Sequence, residues 1–205
     1  CLENEMTEFK KEQKEYYSED FVALDLSHRE IASIVFDDCT FDACNLSETQ
    51  FNECKFTNCR FVKCNLSVAK MGASQFSEVI FDGCKVIGID WTRASWLGIV
   101  LHAPIKFYRC LMNDSSFFGL KVKGLVIKAC QAQSVDFREG HFSGADFTET
   151  DFSNSLFMQT DLSNVDFTEA INYGIDIRFN QVEKAKFSRY EALRLLDLLD
   201  IELVD

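Results

Sequence analysis

Apolar residues recur at every fifth position along most of the chain. From Phe21 to Leu101 all 17 positions on this step are apolar, and from Phe107 to Phe187 16 of 17 are, with Asn172 as the exception. An α-helix rotates by about 140° in five residues, and on a strand an odd step alternates between the two faces. Neither element gathers these side chains on one side. The step therefore predicts a backbone that turns every five residues, with four turns closing a square coil of 20.

Two short segments recur after one such coil and support its length. Residues 44–47 (CNLS) are repeated at 64–67, and residues 146–149 (DFTE) at 166–169. Identical residues would then stack on one side of successive coils. The 34 steps correspond to about 8.5 coils, and a coil spacing of about 4.8 Å gives a rod about 40 Å long.

The cysteines follow the same register. Eight of the nine lie two residues before a central apolar position, where many other repeats carry Ala, Ser or Thr. A free cysteine packs as a small hydrophobe, so we expect buried free thiols. Disulfides and a zinc site are the less favoured alternatives, since no Cys-x₂-Cys spacing occurs and the three histidines are scattered.

Units such as residues 145–149 (ADFTE) and 64–68 (CNLSV) resemble the repeats of pentapeptide-repeat proteins. The resemblance covers residues 21–187. It implies an all-β solenoid, a right-handed quadrilateral β-helix, whose hand the spacing alone does not give.

The register is interrupted once. The step from Leu101 to Phe107 is six residues instead of five, and it contains Pro104, the only proline. Because proline cannot donate to a ladder, we predict a bulge at 102–106 between two stacked segments. A partner-binding loop is the alternative. Residues 1–20 form a charged N-terminal segment, for which a cap and a flexible tail both remain open.

The C-terminal segment, residues 188–205, begins with a capping-box pattern, SRYE, followed by leucines. We predict a helix that covers the last coil with one face and a second copy of the chain with the other. Leu193, Leu196 and Leu199 are the predicted dimer contacts, and a monomeric cap is the alternative. The ending resembles that of the quinolone-resistance (Qnr) and microcin-immunity type. That resemblance implies dimers that imitate duplex DNA and act on type II topoisomerases; the projecting loops of some members have no room in this sequence.

Charge is unevenly distributed. Residues 1–40 carry −7, residues 41–130 carry +4 and residues 131–205 carry −9, which sum to −12. Near the C-terminus aspartates regularly precede central positions, and a regular acidic surface is suited to a DNA-binding partner. An alternative interpretation is that these aspartates only keep the coils soluble. The predicted contact residues are Asp146, Glu149, Asp151, Asp161, Asp166 and Glu169.

These observations lead us to expect a non-enzymatic DNA mimic that binds DNA gyrase or topoisomerase IV, with no cofactor, metal or direct contact to nucleic acid. The sequence has no Gly-rich phosphate loop and no Ser/His/Asp grouping. The charged first 20 residues do not resemble a secretory signal, and no long apolar stretch predicts a membrane span, so we expect a cytoplasmic location. The alternative is a scaffolding protein with another partner.

Overall fold

The predicted β-solenoid is confirmed. The structure, a computed structural model, describes residues 10, 12–96, 103–199, 201, 202 and 204. In this part of the chain the secondary structure consists of short strands and two 3₁₀-helices. The strands are β1 Glu15–Tyr17, β2 Asp20–Val22, β3 Glu30–Ala32, β4 Val35–Asp37, β5 Thr40–Asp42, β6 Gln50–Asn52, β7 Lys55–Thr57, β8 Arg60–Val62, β9 Gln75–Ser77, β10 Val79–Asp82, β11 Ile105–Tyr108, β12 Val126–Lys128, β13 Asp166–Phe167 and β14 Lys186–Phe187; the helices are Trp91–Arg93 and Glu191–Leu196.

All strand pairs are parallel, and they lie on three of the four sides of a coil. The ladders run β1-β4-β7-β9, β2-β5-β8-β10-β11-β12, β3-β6 and β13-β14. Single bridges such as Asp25↔Asn45 make up the remaining side. We number the sides by their inward-pointing central residues. These are, on side 1, Tyr16, Phe36, Phe56, Phe76, Trp96, Val122, Phe142, Leu162 and Val182; on side 2, Phe21, Phe41, Phe61, Phe81, Phe107, Ile127, Phe147, Phe167 and Phe187; on side 3, Leu26, Leu46, Leu66, Val86, Met112, Ala132 and Phe152; and on side 4, Ile31, Phe51, Met71, Trp91, Phe117, Phe137 and Phe157.

The core consists of columns of these central side chains. Because most coils have the same length, residues at the same place in successive coils lie over one another. On side 2, the ring of Phe61 stacks between those of Phe41 and Phe81, with centroid distances of 4.6 and 4.7 Å. Rings on adjacent sides meet edge to face, as Phe56 and Phe61 do. Aromatic pairs of this kind contribute about 0.5–1.5 kcal/mol beyond the area they bury.

Most corners are made by a residue in the left-handed region, two positions after a central residue; the corner after Trp91 is instead a 3₁₀-helix. Glu149, for example, has φ 60° and Glu48 has φ 55°. Non-glycine residues avoid this region at a cost of about 1–2 kcal/mol. Here the backbone hydrogen bonds between coils hold it in place; the Glu149 N–H donates to the carbonyl of Thr168 at 3.0 Å. The turn every five residues is therefore a backbone property of each repeat.

The cysteines are free and buried, as predicted, for all eight that the structure describes. Their sulfurs lie against backbone carbonyls; the Cys64 Sγ–H donates to the carbonyl of Phe41 at 3.2 Å. The contact with the Cys110 sulfur, together with burial, raises the pKa of Cys84 to about 12, although the contact with Cys64 opposes this. Protonated thiols are poor nucleophiles, so we interpret the buried cysteines as residues that pack the core.

One coil is longer than its neighbours by six positions. Strand β10 pairs with β11 so that Phe81 lies opposite Phe107, whereas the preceding pair brings Phe61 opposite Phe81. The next sides keep the longer offset, as in Asp90↔Ser116. Trp96 still stacks on Phe76 at 6.2 Å, so the additional residues follow Trp96. The sequence-based count of one extra residue was therefore wrong, since the pairing of Phe81 with Phe107 gives six; Leu101, which that count placed on the five-residue step, lies outside the described residues.

The predicted bulge at 102–106 is described only in part, since Leu101 and His102 lie outside the described residues. Ala103 is buried, and the carbonyl of Pro104 accepts a hydrogen bond from the Val79 N–H at 3.0 Å. Proline at this point thus takes part in the ladder as an acceptor, which does not require its missing N–H.

The solenoid begins before the predicted boundary at residue 21. Strand β1, Glu15–Tyr17, pairs with β4, and Tyr16 is a buried core residue. The Tyr16 hydroxyl accepts a hydrogen bond from the Lys10 N–H at 2.9 Å. The part of the charged segment from Glu15 onward therefore belongs to the first coil; residues 1–9 and 11 lie outside the described residues.

The last coil departs from the five-residue step. Phe157 bridges to Ile175 rather than to Ile177, so this coil is two positions short of the regular length. Ile175 and Tyr173 are buried, whereas Ile177 is 39% exposed. The inward position that the register assigned to Ile177 thus belongs to Ile175, and Tyr173 packs between the rings of Phe167 and Phe187.

The predicted C-terminal helix is not confirmed as such, because residues Glu191–Leu196 form only a short 3₁₀-helix. The two capping-box side chains do not cap this helix. The Ser188 hydroxyl oxygen accepts from the Glu169 N–H at 2.8 Å, and the Glu191 carboxylate accepts from the Asn172 N–H at 2.9 Å. They satisfy backbone donors of the last coil, and Leu195 packs against the core.

Candidate functional site

Four of the six predicted contact residues lie together on side 2. Asp146 and Asp166 directly precede the central residues Phe147 and Phe167 and form a bridge between neighbouring coils. Glu149 and Glu169 occupy the corners of the same side, at φ 60° and 61°. We call Asp146, Glu149, Asp166 and Glu169 the acidic column.

Asp151 and Asp161 do not belong to this column. Asp161 precedes Leu162 on side 1, where it bridges to His141, and Asp151 precedes Phe152 on side 3, where it bridges to Gln131. The structure therefore places these two carboxylates around the corners on either side of the acidic column. A five-residue step repeats identically on all four sides, which is why the sequence grouped them.

Each aspartate of the column also stabilises its own turn. Oδ1 of Asp146 accepts hydrogen bonds from the Thr148 N–H at 3.1 Å and from the Thr148 hydroxyl at 2.7 Å. Asp166 accepts from the Thr168 N–H at 2.9 Å. The hydrogen bond from Thr168, supported by Lys186, lowers the pKa of Asp166 although burial opposes it. These carboxylates thus carry a structural role and a negative charge at once.

Lysines from neighbouring coils pair with two members of the column. Lys128 Nζ lies 3.2 Å from a carboxylate oxygen of Glu149, and Lys186 Nζ lies 3.0 Å from one of Asp166. All four side chains are partly exposed, so each ion pair contributes little to stability. The pairs do reduce the local negative charge, and the column is less acidic than its carboxylates alone suggest.

The C-terminal end of the rod has an apolar surface. Of the predicted dimer contacts, Leu193 is 55% exposed, while Leu196 and Leu199 are partly buried. Sequence reasoning missed three further exposed apolar residues on side 4 and beside it, because it considered only the central positions. These are Leu156, Met158 and Phe179.

The sequence profile described as "Pentapeptide repeat region" matches residues 34–104 and 89–167, which together exceed half of the chain. The chain belongs to the pentapeptide-repeat family. Two solved structures of trypsin-treated QnrB1, titled a plasmid-mediated fluoroquinolone resistance protein, share its fold. The first has a TM-score of 0.61 and 18% sequence identity, and the match covers 93% of this chain and 92% of that chain. The second has a TM-score of 0.58 and 20% sequence identity, and the match covers 90% of this chain and 100% of that chain. No curated protein matches this pentapeptide-repeat protein by sequence.

Neither a metal centre nor a membrane span is found in the described part of this pentapeptide-repeat protein. Among its described residues, no group of three or more His, Cys, Asp or Glu side chains is arranged to hold a metal ion. None of the described helices is long and apolar enough to cross a membrane. The acidic column and the apolar C-terminal end are the surfaces on which a functional proposal is based.

Proposed function

We propose that this pentapeptide-repeat protein binds the DNA-binding surface of a type II topoisomerase, DNA gyrase or topoisomerase IV, and modulates the enzyme or protects it from quinolones or toxins. The observation that carries the proposal is the acidic column on one flat side of a rod. The fold shared with QnrB1 and the resemblance of the C-terminal sequence to the Qnr type support it.

The spacing of the column is compatible with imitation of DNA. Two carboxylates per coil at a coil spacing of about 4.8 Å amount to one negative charge per about 2.4 Å, compared with one per about 1.7 Å of duplex DNA. The two lysine pairs make the imitation weaker than this spacing alone. Asp151 and Asp161 extend the negative surface around the two neighbouring corners.

A homodimer would double this surface. The acidic column lies at the C-terminal end of the rod, where the Glu169 N–H contacts Ser188 of the terminal segment. Contact between two copies through Leu193, Leu196 and Leu199 would bring two acidic columns end to end. A two-fold contact of this kind uses the same surface on both copies.

Binding would act by complementarity of shape and charge, without catalysis. Complementary potentials raise association rates and select partners, and salt weakens the effect. Such a protein competes with DNA for the enzyme or shields the cleaved complex. The proposal places the protein in the cytoplasm, where the bacterial topoisomerase acts on DNA.

The test is a gyrase supercoiling assay with the full chain, with and without a quinolone. The chain offers a conservative variant, because Asn65 occupies the same turn position as Asp146 and accepts a hydrogen bond from the Ser67 N–H at 3.1 Å. Combining Asp146→Asn, Asp166→Asn, Glu149→Gln and Glu169→Gln removes charge and preserves the turns. We expect at least about a tenfold loss of effect.

A single variant, Asp25→Asn, is the control for replacing a turn aspartate by asparagine. Asp25 accepts from the Ser27 N–H at 3.0 Å in the same kind of turn, far from the column, and the change should leave the assay unaltered. The proposal is wrong if the unmodified chain neither binds, inhibits nor protects the enzyme.

A further inference from the structure

The positive charges in the middle of the chain lie on two adjacent sides of the rod. In the four coils from residue 54 to residue 139, sides 1 and 2 carry eight cations and two carboxylates, a net charge of +6, whereas sides 3 and 4 carry four of each, a net charge of zero. We call the eight cations the basic band. They are Lys55, Arg60, Lys63, Lys106, Arg109, Lys121, Lys123 and Lys128.

Three of these cations are paired within the chain. Lys106 lies 3.1 Å from Glu78, Arg109 contacts both carboxylate oxygens of Asp82 at 2.5 Å, and Lys128 pairs with Glu149. The other five are exposed, and among the described residues no carboxylate lies within salt-bridge distance of them. These five are Lys55, Arg60, Lys63, Lys121 and Lys123.

The long coil creates this alignment. With a single extra residue in that coil, Lys106, Arg109 and Lys128 would follow the column of side 3, a quarter turn from Arg60. The longer offset between β10 and β11 returns them to side 2, above Arg60 and Lys63. The charges of two separate sequence segments thereby form one surface.

We infer that the basic band binds a short acidic segment of a protein partner. On the same two sides the band is bounded by carboxylates: Asp37, Asp38 and Asp42 precede it, and the acidic column follows it. A duplex lying along the rod would bring one negative charge per about 1.7 Å of its axis against these carboxylates. A short acidic peptide on the band would end before these carboxylates, apart from Glu149, whose charge Lys128 already pairs.

The length of the band sets the size of the segment. The coil of Lys55 and the coil of Lys128 are three coil spacings apart, which is about 14 Å. An extended peptide covers this distance in four or five residues at about 3.3 Å each. The five unpaired cations of the band lie apart from the acidic column, which the band meets only at the Lys128–Glu149 pair, and the proposed binding requires no topoisomerase.

The test is a fluorescence anisotropy titration of the full chain into a labelled peptide of alternating Glu and Ser, at low salt. The double variant Arg60→Glu, Lys63→Glu should weaken binding at least about tenfold. Glutamate is compatible with the corner at Lys63, since Glu53 and Glu78 adopt the same positive φ. If that variant melts below the unmodified chain, Arg60→Gln with Lys63→Gln replaces it.

The matched control is Lys70→Glu with Lys85→Glu, which changes the net charge equally but on sides 4 and 3, where both lysines are exposed. It should change affinity less than about twofold. Equal losses in both double variants would show a response to net charge alone and overturn the inference. So would a peptide Kd above about 1 mM, or tighter binding of a duplex oligonucleotide than of the peptide.

Discussion

The ring of Phe107 stacks on the ring of Phe81 across the longest coil of the rod, with their centroids 5.2 Å apart. The remaining coils on side 2 are each six positions shorter, as in the stacking of Phe61 on Phe41. The pairing of β10 with β11, which brings these two rings together, sets which side of the rod each later residue occupies. It places the acidic column on the same side as Arg60 and Lys63 of the basic band.

The stacked phenylalanine rings of side 2 lead to a prediction about stability. Phe61 is 1% exposed and has a ring above and below it. Phe61→Ala should lower the free energy of unfolding by about 3–5 kcal/mol, through lost burial and a cavity, as measured by denaturant unfolding. Leu156→Ala, at an exposed position, should change it by less than about 0.5 kcal/mol; similar losses in both variants would contradict the column as the source of stability.

Val68 is a strained corner residue. It has φ 59° and is 53% exposed, and a β-branched residue is the least suited to this region. Val68→Asn should stabilise the fold by about 1 kcal/mol, because asparagine tolerates the left-handed conformation. The comparison is Val126→Asn in strand β12, where the backbone is extended and no gain is expected. Thermal unfolding of both variants distinguishes these outcomes.

Acid should destabilise the protein through Asp151. Although burial opposes it, hydrogen bonds from Ser153, Asn172 and Gln133 lower the pKa of Asp151 to about 2. A depressed folded pKa stabilises the fold above the unfolded value, and this contribution is lost as the pH falls from about 4 to 2. Because the group is only partly buried, the loss is on the order of 1 kcal/mol.

The measurement for Asp151 is the unfolding free energy as a function of pH. Asp151→Asn should be less stable than the unmodified chain at pH 6, and the difference should shrink below about pH 3. A difference that is independent of pH would assign the effect to packing rather than to the carboxylate.

The proposed dimer predicts a change in mass. Leu193 is 55% exposed at the C-terminal end, so Leu193→Asp should not disturb the core but should separate two copies, as should Leu196→Asp. The mass measured by light scattering would then fall from that of two chains to that of one. Val68→Asp is a control at an exposed position far from that end; a mass of one chain for the unmodified protein would exclude the dimer.

The sequence by itself determined the coil and its lining. Along most of the rod every fifth residue points inward and is apolar. The position two residues earlier is mostly buried as well; it holds a small side chain in many repeats, as in Cys64 and Thr150, and a larger apolar one in others, as in Val135. These are local constraints that each repeat shows independently. They were sufficient to predict the solenoid, the free thiols and the stacking of Asp146 over Asp166.

Only the tertiary structure decided which side of the rod each residue occupies. All four sides have the same five-residue step, so an additional step such as that of Leu101 leaves the pattern unchanged. Residues that form ion pairs or hydrogen bonds with each other also lie about a full coil apart in the sequence. Lys128 pairs with Glu149, and the Ser188 hydroxyl accepts from the Glu169 N–H. Side assignment depends on which strands hydrogen-bond, and that is a property of the closed coil rather than of any single repeat.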